Sequence, residues 1–160
     1  MQPSKAPEPF LSPYNPEAAE PAMEKVWEDS GYTNPDNLPD QSGEPYTIVL
    51  PPPNVTGTLH MGHAAMLAIE DILIRYKRMR GFKALWIPGT DSAAIATQAK
   101  VEDELYKKEK QTRHNLGREE LMKRIDAFTD ESKATIINQV KKMGSSLDWS
   151  RYAYTMDEKR

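Results

Sequence analysis

An α/β fold with a parallel β-α-β core and added helices is what this 160-residue sequence predicts. Three observations carry that expectation. An apolar, β-branched run, Tyr46-Thr47-Ile48-Val49-Leu50, lies between Pro45 and Pro51 and reads as a short buried strand. Past a proline-rich turn, Ala64 to Arg80 reads as one helix stopped by Gly81. A second apolar run, Ala84-Leu85-Trp86-Ile87, follows at once. Two strands joined by one helix pair in parallel through a right-handed crossover.

The remaining elements follow along the chain. Residues 1–12 read as a loose tail. A short helix is expected over Pro21–Ser30, with Met23, Val26 and Trp27 on one face and Gly31 as its stop. Residues 33–45 form a turn-rich loop, so 13–45 make an extension ahead of the main unit, 46–160. Twelve of the thirteen prolines lie at or before Pro53, which leaves the rest free to be helical. In the helix over 62–80, Met66, Ile69, Leu73 and Tyr76 recur at helical spacing and are expected to face the core. Two further helices are expected over 92–109 and 118–142. The second carries Leu121, Ile125, Phe128, Ile136 and Val140, and Gly144 ends it.

Composition sets outer bounds on function. A net charge of −3 gives no global electrostatic reason to bind nucleic acid. Zero cysteines exclude disulfides and thiolate metal sites. The N-terminus lacks the apolar run of a signal peptide and no stretch approaches membrane-spanning length, so a cytoplasmic protein with no membrane partner is expected.

The most informative stretch runs from Pro51-Pro52-Pro53-Asn54 through Val55-Thr56-Gly57-Thr58-Leu59 to His60-Met61-Gly62-His63. A strand that turns through glycine into a helix N-terminus is how α/β folds hold phosphate, because free N–H groups and the helix dipole point at the anion. Gly57 permits backbone angles that a Cβ opposes. Gly62 leaves a flat patch where a planar base can lie. His60 and His63, at i and i+3, share one side of the first turn, and both imidazoles can donate to phosphate oxygens. On these residues alone the competing readings are helix capping, packing, or metal binding.

Asp91, just past the second strand, has two compatible readings. It can cap the helix that follows, or bind an ammonium group at the carboxyl end of a parallel strand. Arg75, Lys77, Arg78 and Arg80 read as complements to the helix dipole, with Asp71–Arg75 an i, i+4 pair, ahead of an RNA-contact reading. Trp149 reads as a packing anchor.

His60-Met61-Gly62-His63 resembles the HIGH signature of class I aminoacyl-tRNA synthetases, and the string Pro51 to His63 is similar to the valyl form of it. The likeness continues through Asp71 to Gly81, Leu85-Trp86-Ile87-Pro88-Gly89-Thr90-Asp91, Ile95-Ala96-Thr97-Gln98, Leu116-Gly117-Arg118-Glu119, and Gly144 to Glu158. The resemblance implies a Rossmann-like half-domain, the N-terminal part of a catalytic domain. It implies activation of L-valine by ATP to valyl-adenylate, then transfer to tRNA(Val). It assigns ATP to Thr58, His60, Gly62 and His63, with the two histidines catalytic. It assigns the amino acid to Pro52, Asn54 and Asp91. Magnesium is expected to travel with ATP, with no protein-held metal.

The chain also departs from the family pattern. Ser92-Ala93-Ala94 stands where the family usually reads His-Ala-Gly, and no Lys-Met-Ser-Lys-Ser-like loop occurs. Family enzymes are several times longer and carry editing and anticodon-binding domains, so this chain alone is expected to be inactive or very weak. A non-catalytic ATP-binding remnant and an isoleucyl-type fragment are the alternatives.

Overall fold

The two apolar runs form the strands expected of them. In the computed structural model, which describes residues 13–158, β1 (Pro45–Val49) and β2 (Lys83–Ile87) pair in parallel, with Ile48 opposite Trp86. Among the described residues β1 has a strand on one edge only. The expected tail over 1–12 lies outside the described residues.

Successive side chains of a strand point to opposite faces. One face here carries Leu50, Ala84 and Trp86, all buried. They meet Leu67 and Ile74 of α2 (Met61–Met79), Ile136 and Val140 of α5 (Arg118–Lys142), and Leu147. Burying one such aliphatic side chain contributes about 1.5–3 kcal/mol. On the other face Val49 is 64% exposed.

The inward face of α2 differs from the expected one. Ile69, Leu73 and Tyr76 are exposed, and only Met66 of the expected four packs against the core. Apolar residues recur on more than one side of the helix, so periodicity alone allows two faces. Polar anchors decide between them. Asp71 Oδ1 accepts the Ser146 N–H (3.0 Å), Arg75 Nη2 donates to the Gly144 carbonyl (2.8 Å), and Arg78 Nη2 donates to the Ser146 carbonyl (2.8 Å). Residues 67, 71, 74, 75 and 78 share one side of the helix, so satisfying these groups turns Leu67 and Ile74 inward. The Asp71–Arg75 pair is present at 2.6 Å. Arg75 and Arg78 therefore clamp the 144–147 segment to α2, which neither the dipole reading nor the RNA reading anticipates.

α1 (Pro16–Ser30) begins five residues before Pro21, because Pro16 occupies a first-turn position where no N–H is needed. Gly31, at φ +65°, ends it as expected. Its apolar face packs only partly. Trp27 lies against the Arg75 guanidinium (4.3 Å to the ring centre), while Met23 and Val26 are exposed. The helix expected over 92–109 is α3 (Ala94–Glu109), and α5 has the expected bounds. A one-turn helix, α4 (Arg113–Leu116), lies between them.

A second parallel pair was not anticipated from sequence. β3 (Gly89–Thr90) continues the line of β2 past Pro88 and pairs with β4 (Ala153–Tyr154). α3 to α5 form the crossover between them. Asp148, 1% exposed, fixes the approach to β4. Its N–H donates to the Trp86 carbonyl (3.0 Å), and its carboxylate accepts from the Ser150 N–H (3.1 Å) and Arg151 Nε (3.0 Å). Trp149 packs against the core, as an anchor should.

Candidate functional site

The two histidines form a reciprocal cap at the start of α2. His60, the N-cap residue, has extended backbone angles, and its Nδ1 accepts the Gly62 N–H (3.1 Å). The Nδ1 of His63 reaches back to accept the N–H of His60 (3.3 Å). Their rings lie 3.9 Å apart, tilted by 39°. Two otherwise orphaned N–H groups of the first turn are thereby satisfied, as Ser and Glu do in the usual capping box. A neutral imidazole whose Nδ1 accepts carries its proton on Nε2. Among the described residues neither Nε2 has a protein partner, so each ring has one donor to offer a ligand. Burial, and then the neighbouring His60, hold the His63 pKa below the usual histidine value.

Capping, which the sequence left as a rival to phosphate binding, is thus what both histidines do, and it leaves the second role open to them. Gly62 also has a structural reason to lack a side chain. A Cβ there would lie 2.9 Å from His60 Cε1, so the space beside this glycine belongs to the His60 ring. Gly57, at φ +145°, has the backbone angle that glycine is needed for. Thr58 is exposed in the same turn.

Asp91 reaches the same edge of the sheet by another route. Parallel strands bring the carboxyl ends of β1 and β2 together, and the pairing resumes beyond the prolines. The Val55 N–H donates to the Asp91 carbonyl and the Asp91 N–H to the Pro53 carbonyl, both at 2.9 Å, so Asn54 and Asp91 are bridge partners. The Asp91 side chain does not cap α3, correcting that reading: the N-cap residue is Ala93, with no side-chain hydrogen bond. Instead Asp91 Oδ1 accepts a hydrogen bond from Thr155 Oγ1 (2.8 Å). Thr155 Oγ1 in turn accepts the Ser92 N–H (2.9 Å). Nearby, Thr90 and Tyr152 join their hydroxyls, and burial raises the Tyr154 phenol above its ordinary range.

The Ser92-Ala93-Ala94 departure also acquires a geometry. Ser92 Oγ accepts the Ala94 N–H (3.2 Å), and its carbonyl accepts from Thr97 Oγ1 (2.5 Å). Ala93 has φ +48°, a left-handed conformation that a Cβ opposes.

Pro52 lines a cavity of about 320 Å³ with Val49, Ile87, Gly89, Thr90 and Thr155, beside the strand ends. A larger cavity, about 590 Å³, lies between α1 and the 143–149 segment and contains none of the expected site residues. Of the expected site residues only Pro52 lines the smaller one. No group of three or more His, Asp or Glu residues able to hold a metal occurs among the described residues. Thr155 and Tyr152 were missed from sequence; the alternation Tyr152-Ala153-Tyr154 was the available signal.

With this geometry in place, comparison with known proteins is decisive. The family model for class I tRNA synthetases (I, L, M and V) matches residues 22–160. The chain belongs to that family. A valine–tRNA ligase of Thermus thermophilus is 53% identical over 148 residues, covering 92% of this chain and 17% of the relative. One from Gloeobacter violaceus is 47% identical over 149 residues, covering 93% and 16%. The chain thus spans about one-sixth of the length of the curated synthetases it matches. The crystal structure of a LeuRS–tRNA–LeuAMS ternary complex from Agrobacterium radiobacter K84 shares the fold. Its TM-score is 0.70 at 17% identity, covering 91% of this chain and 16% of that one. Among the described residues, no helix of this synthetase chain is long and apolar enough to cross a membrane.

Proposed function

We propose that this chain is the part of a valine–tRNA ligase that holds the HIGH-motif half of the active site. In that reading the valine carboxylate attacks the α-phosphorus of ATP, the bond to pyrophosphate breaks, and valyl-adenylate forms. A terminal hydroxyl of tRNA(Val) then attacks the activated carbonyl and AMP leaves. The nucleophiles belong to the substrates, so the protein's part is positioning and charge stabilisation.

The observation that carries the reading is the meeting of Asn54 and Asp91 at the sheet edge from which α2 starts. His60 and His63 would each offer an Nε2–H to ATP phosphates beside the positive end of a 19-residue helix. Thr58 and Gly62 would border the nucleotide. Asp91 would take the valine ammonium, with Pro52 and Asn54 beside the side chain. Magnesium would arrive with the polyphosphate.

Titration of ATP into the chain tests the nucleotide assignment. Weak binding is expected, and replacing His60 and His63 together by Ala should abolish most of it in calorimetry. Unchanged affinity in the double variant returns the histidines to capping alone. Valine-dependent turnover should be barely detectable, since these residues include no lysine-rich loop to stabilise the departing pyrophosphate. Loss of one preorganised charge-stabilising group commonly costs roughly a hundred- to a thousandfold in rate. Single-turnover adenylate formation with labelled ATP measures this, and a rate near that of intact synthetases overturns the expectation.

A further inference from the structure

Asp91 stands just past β3, bridged to Asn54, and its usefulness depends on where its oxygens point. A carboxylate on an exposed loop samples several staggered rotamers. Here a single hydroxyl restricts it. Thr155 Oγ1 lies 2.8 Å from Asp91 Oδ1, and the same Oγ1 accepts the Ser92 N–H at 2.9 Å. A hydroxyl has one proton to give. The backbone N–H of Ser92 can only donate to Oγ1, so the hydroxyl proton goes to the accepting oxygen of Asp91. Thr155 is itself held, because its N–H donates to the Thr90 carbonyl (3.2 Å), extending the β3–β4 ladder by one residue. Among the described residues Oδ2 of Asp91 has no hydrogen-bond partner.

We propose that Thr155 is a positioning residue for amino-acid recognition: it fixes the Asp91 carboxylate through Oδ1 and leaves Oδ2 to receive the ammonium group of the substrate. The inference rests on the reading of Asp91 as the ammonium site. It also gives β4 a purpose. A two-residue strand contributes little by way of pairing, but it delivers Thr155 to Asp91 from 64 residues away in the chain. Thr155 lines the 320 Å³ cavity together with Pro52, so the positioning group and the proposed side-chain wall border one space.

Two measurements on the chain test this. Three-bond couplings about χ1 of Asp91, read by NMR, report its rotamer populations. One rotamer should dominate in the wild type and in Thr155→Ser, which keeps the hydroxyl, and averaging should appear in Thr155→Val, which keeps the shape. The second measurement is binding of L-valinol, which carries the ammonium and the side chain but no carboxylate. Thr155→Val should weaken it about fivefold to tenfold, Thr155→Ser should restore it, and ATP binding should stay unchanged in both. Asp91→Asn should weaken valinol binding at least as much. Unchanged Asp91 couplings in Thr155→Val overturn the positioning role. So does a valinol affinity that falls in Asp91→Asn but not in Thr155→Val. An Asp91→Asn variant with wild-type valinol affinity, or a wild-type chain that binds no valinol, overturns the ammonium-site reading instead, and the couplings still decide the role of Thr155.

Discussion

The two halves of the proposed site are held in opposite ways. His60 and His63 are fixed by the backbone N–H groups of Gly62 and His60, all within four residues, and nothing outside the first turn of α2 is needed to set their Nδ1 bonds. Asp91 is fixed from both flanks by distant chain: Pro53 to Val55 on one side, Thr155 on the other. The histidine half is a local motif and should survive disturbance elsewhere. The aspartate half is a product of the tertiary fold and should be lost first when that fold loosens.

The strongest way to break this contrast is to damage the aspartate half from a distance. Asp148→Ala removes the acceptor for Ser150 and Arg151 on the approach to β4. Losing a buried, charge-assisted set of this kind is expected to cost about 2–3 kcal/mol in urea unfolding. The Thr155 and Ser92 amide resonances should shift with it, while the imidazole resonances of His60 and His63 stay in place. Movement of both sets together would show that the halves are not independent.

Ala93→Gly sharpens the contrast in the other direction. It relieves the left-handed alanine between Asp91 and α3, and the gain should exceed the added chain entropy by about 0.5–1 kcal/mol. The melting midpoint should rise. A fall would mean that the backbone at 93 is not strained.

The smallest effect is a pH dependence confined to the histidine half. The folded-state pKa of His63 is lowered, chiefly by burial and then by His60. The unfolded chain, with an ordinary value near 6.5, therefore binds the proton more readily between the two values. The stabilisation is present in full above about pH 6.5. It is lost as pH falls through the lower, folded value, because a proton on Nδ1 removes the acceptor for the His60 N–H. Amide exchange in the first turn of α2 should quicken on acidification, with exchange around Asp91 tracking it less.

This difference also governs what was legible in the sequence. Elements whose ends are set locally were readable. Gly31, Gly81 and Gly144 stop their helices at positive φ, and α5 runs over the expected residues. The parallel β1–β2 pair followed from two short apolar runs flanking one helix. Elements decided by distant partners were not readable. The inward side of α2 depends on Asp71, Arg75 and Arg78 finding the 144–147 backbone some 70 residues away, and no periodicity encodes that. Asp91 looked like a cap because an aspartate before a helix usually is one. Its actual partner, Thr155, belongs to a two-residue strand too short to announce itself. The histidines' capping role was among the readings the motif allowed, and their spacing made it possible.

One feature of the sheet bears on how the chain behaves at high concentration. β1 is paired on one edge only among the described residues, and its sequence, Pro-Tyr-Thr-Ile-Val, carries no charge. An uncharged strand edge with an apolar neighbour such as Val49 is a template on which another extended chain can add. Only Pro45, at its start, is of the kind that discourages such addition. In concentrated solution this edge is where self-association by strand addition would begin, and an added lysine on it is the simplest guard against precipitation.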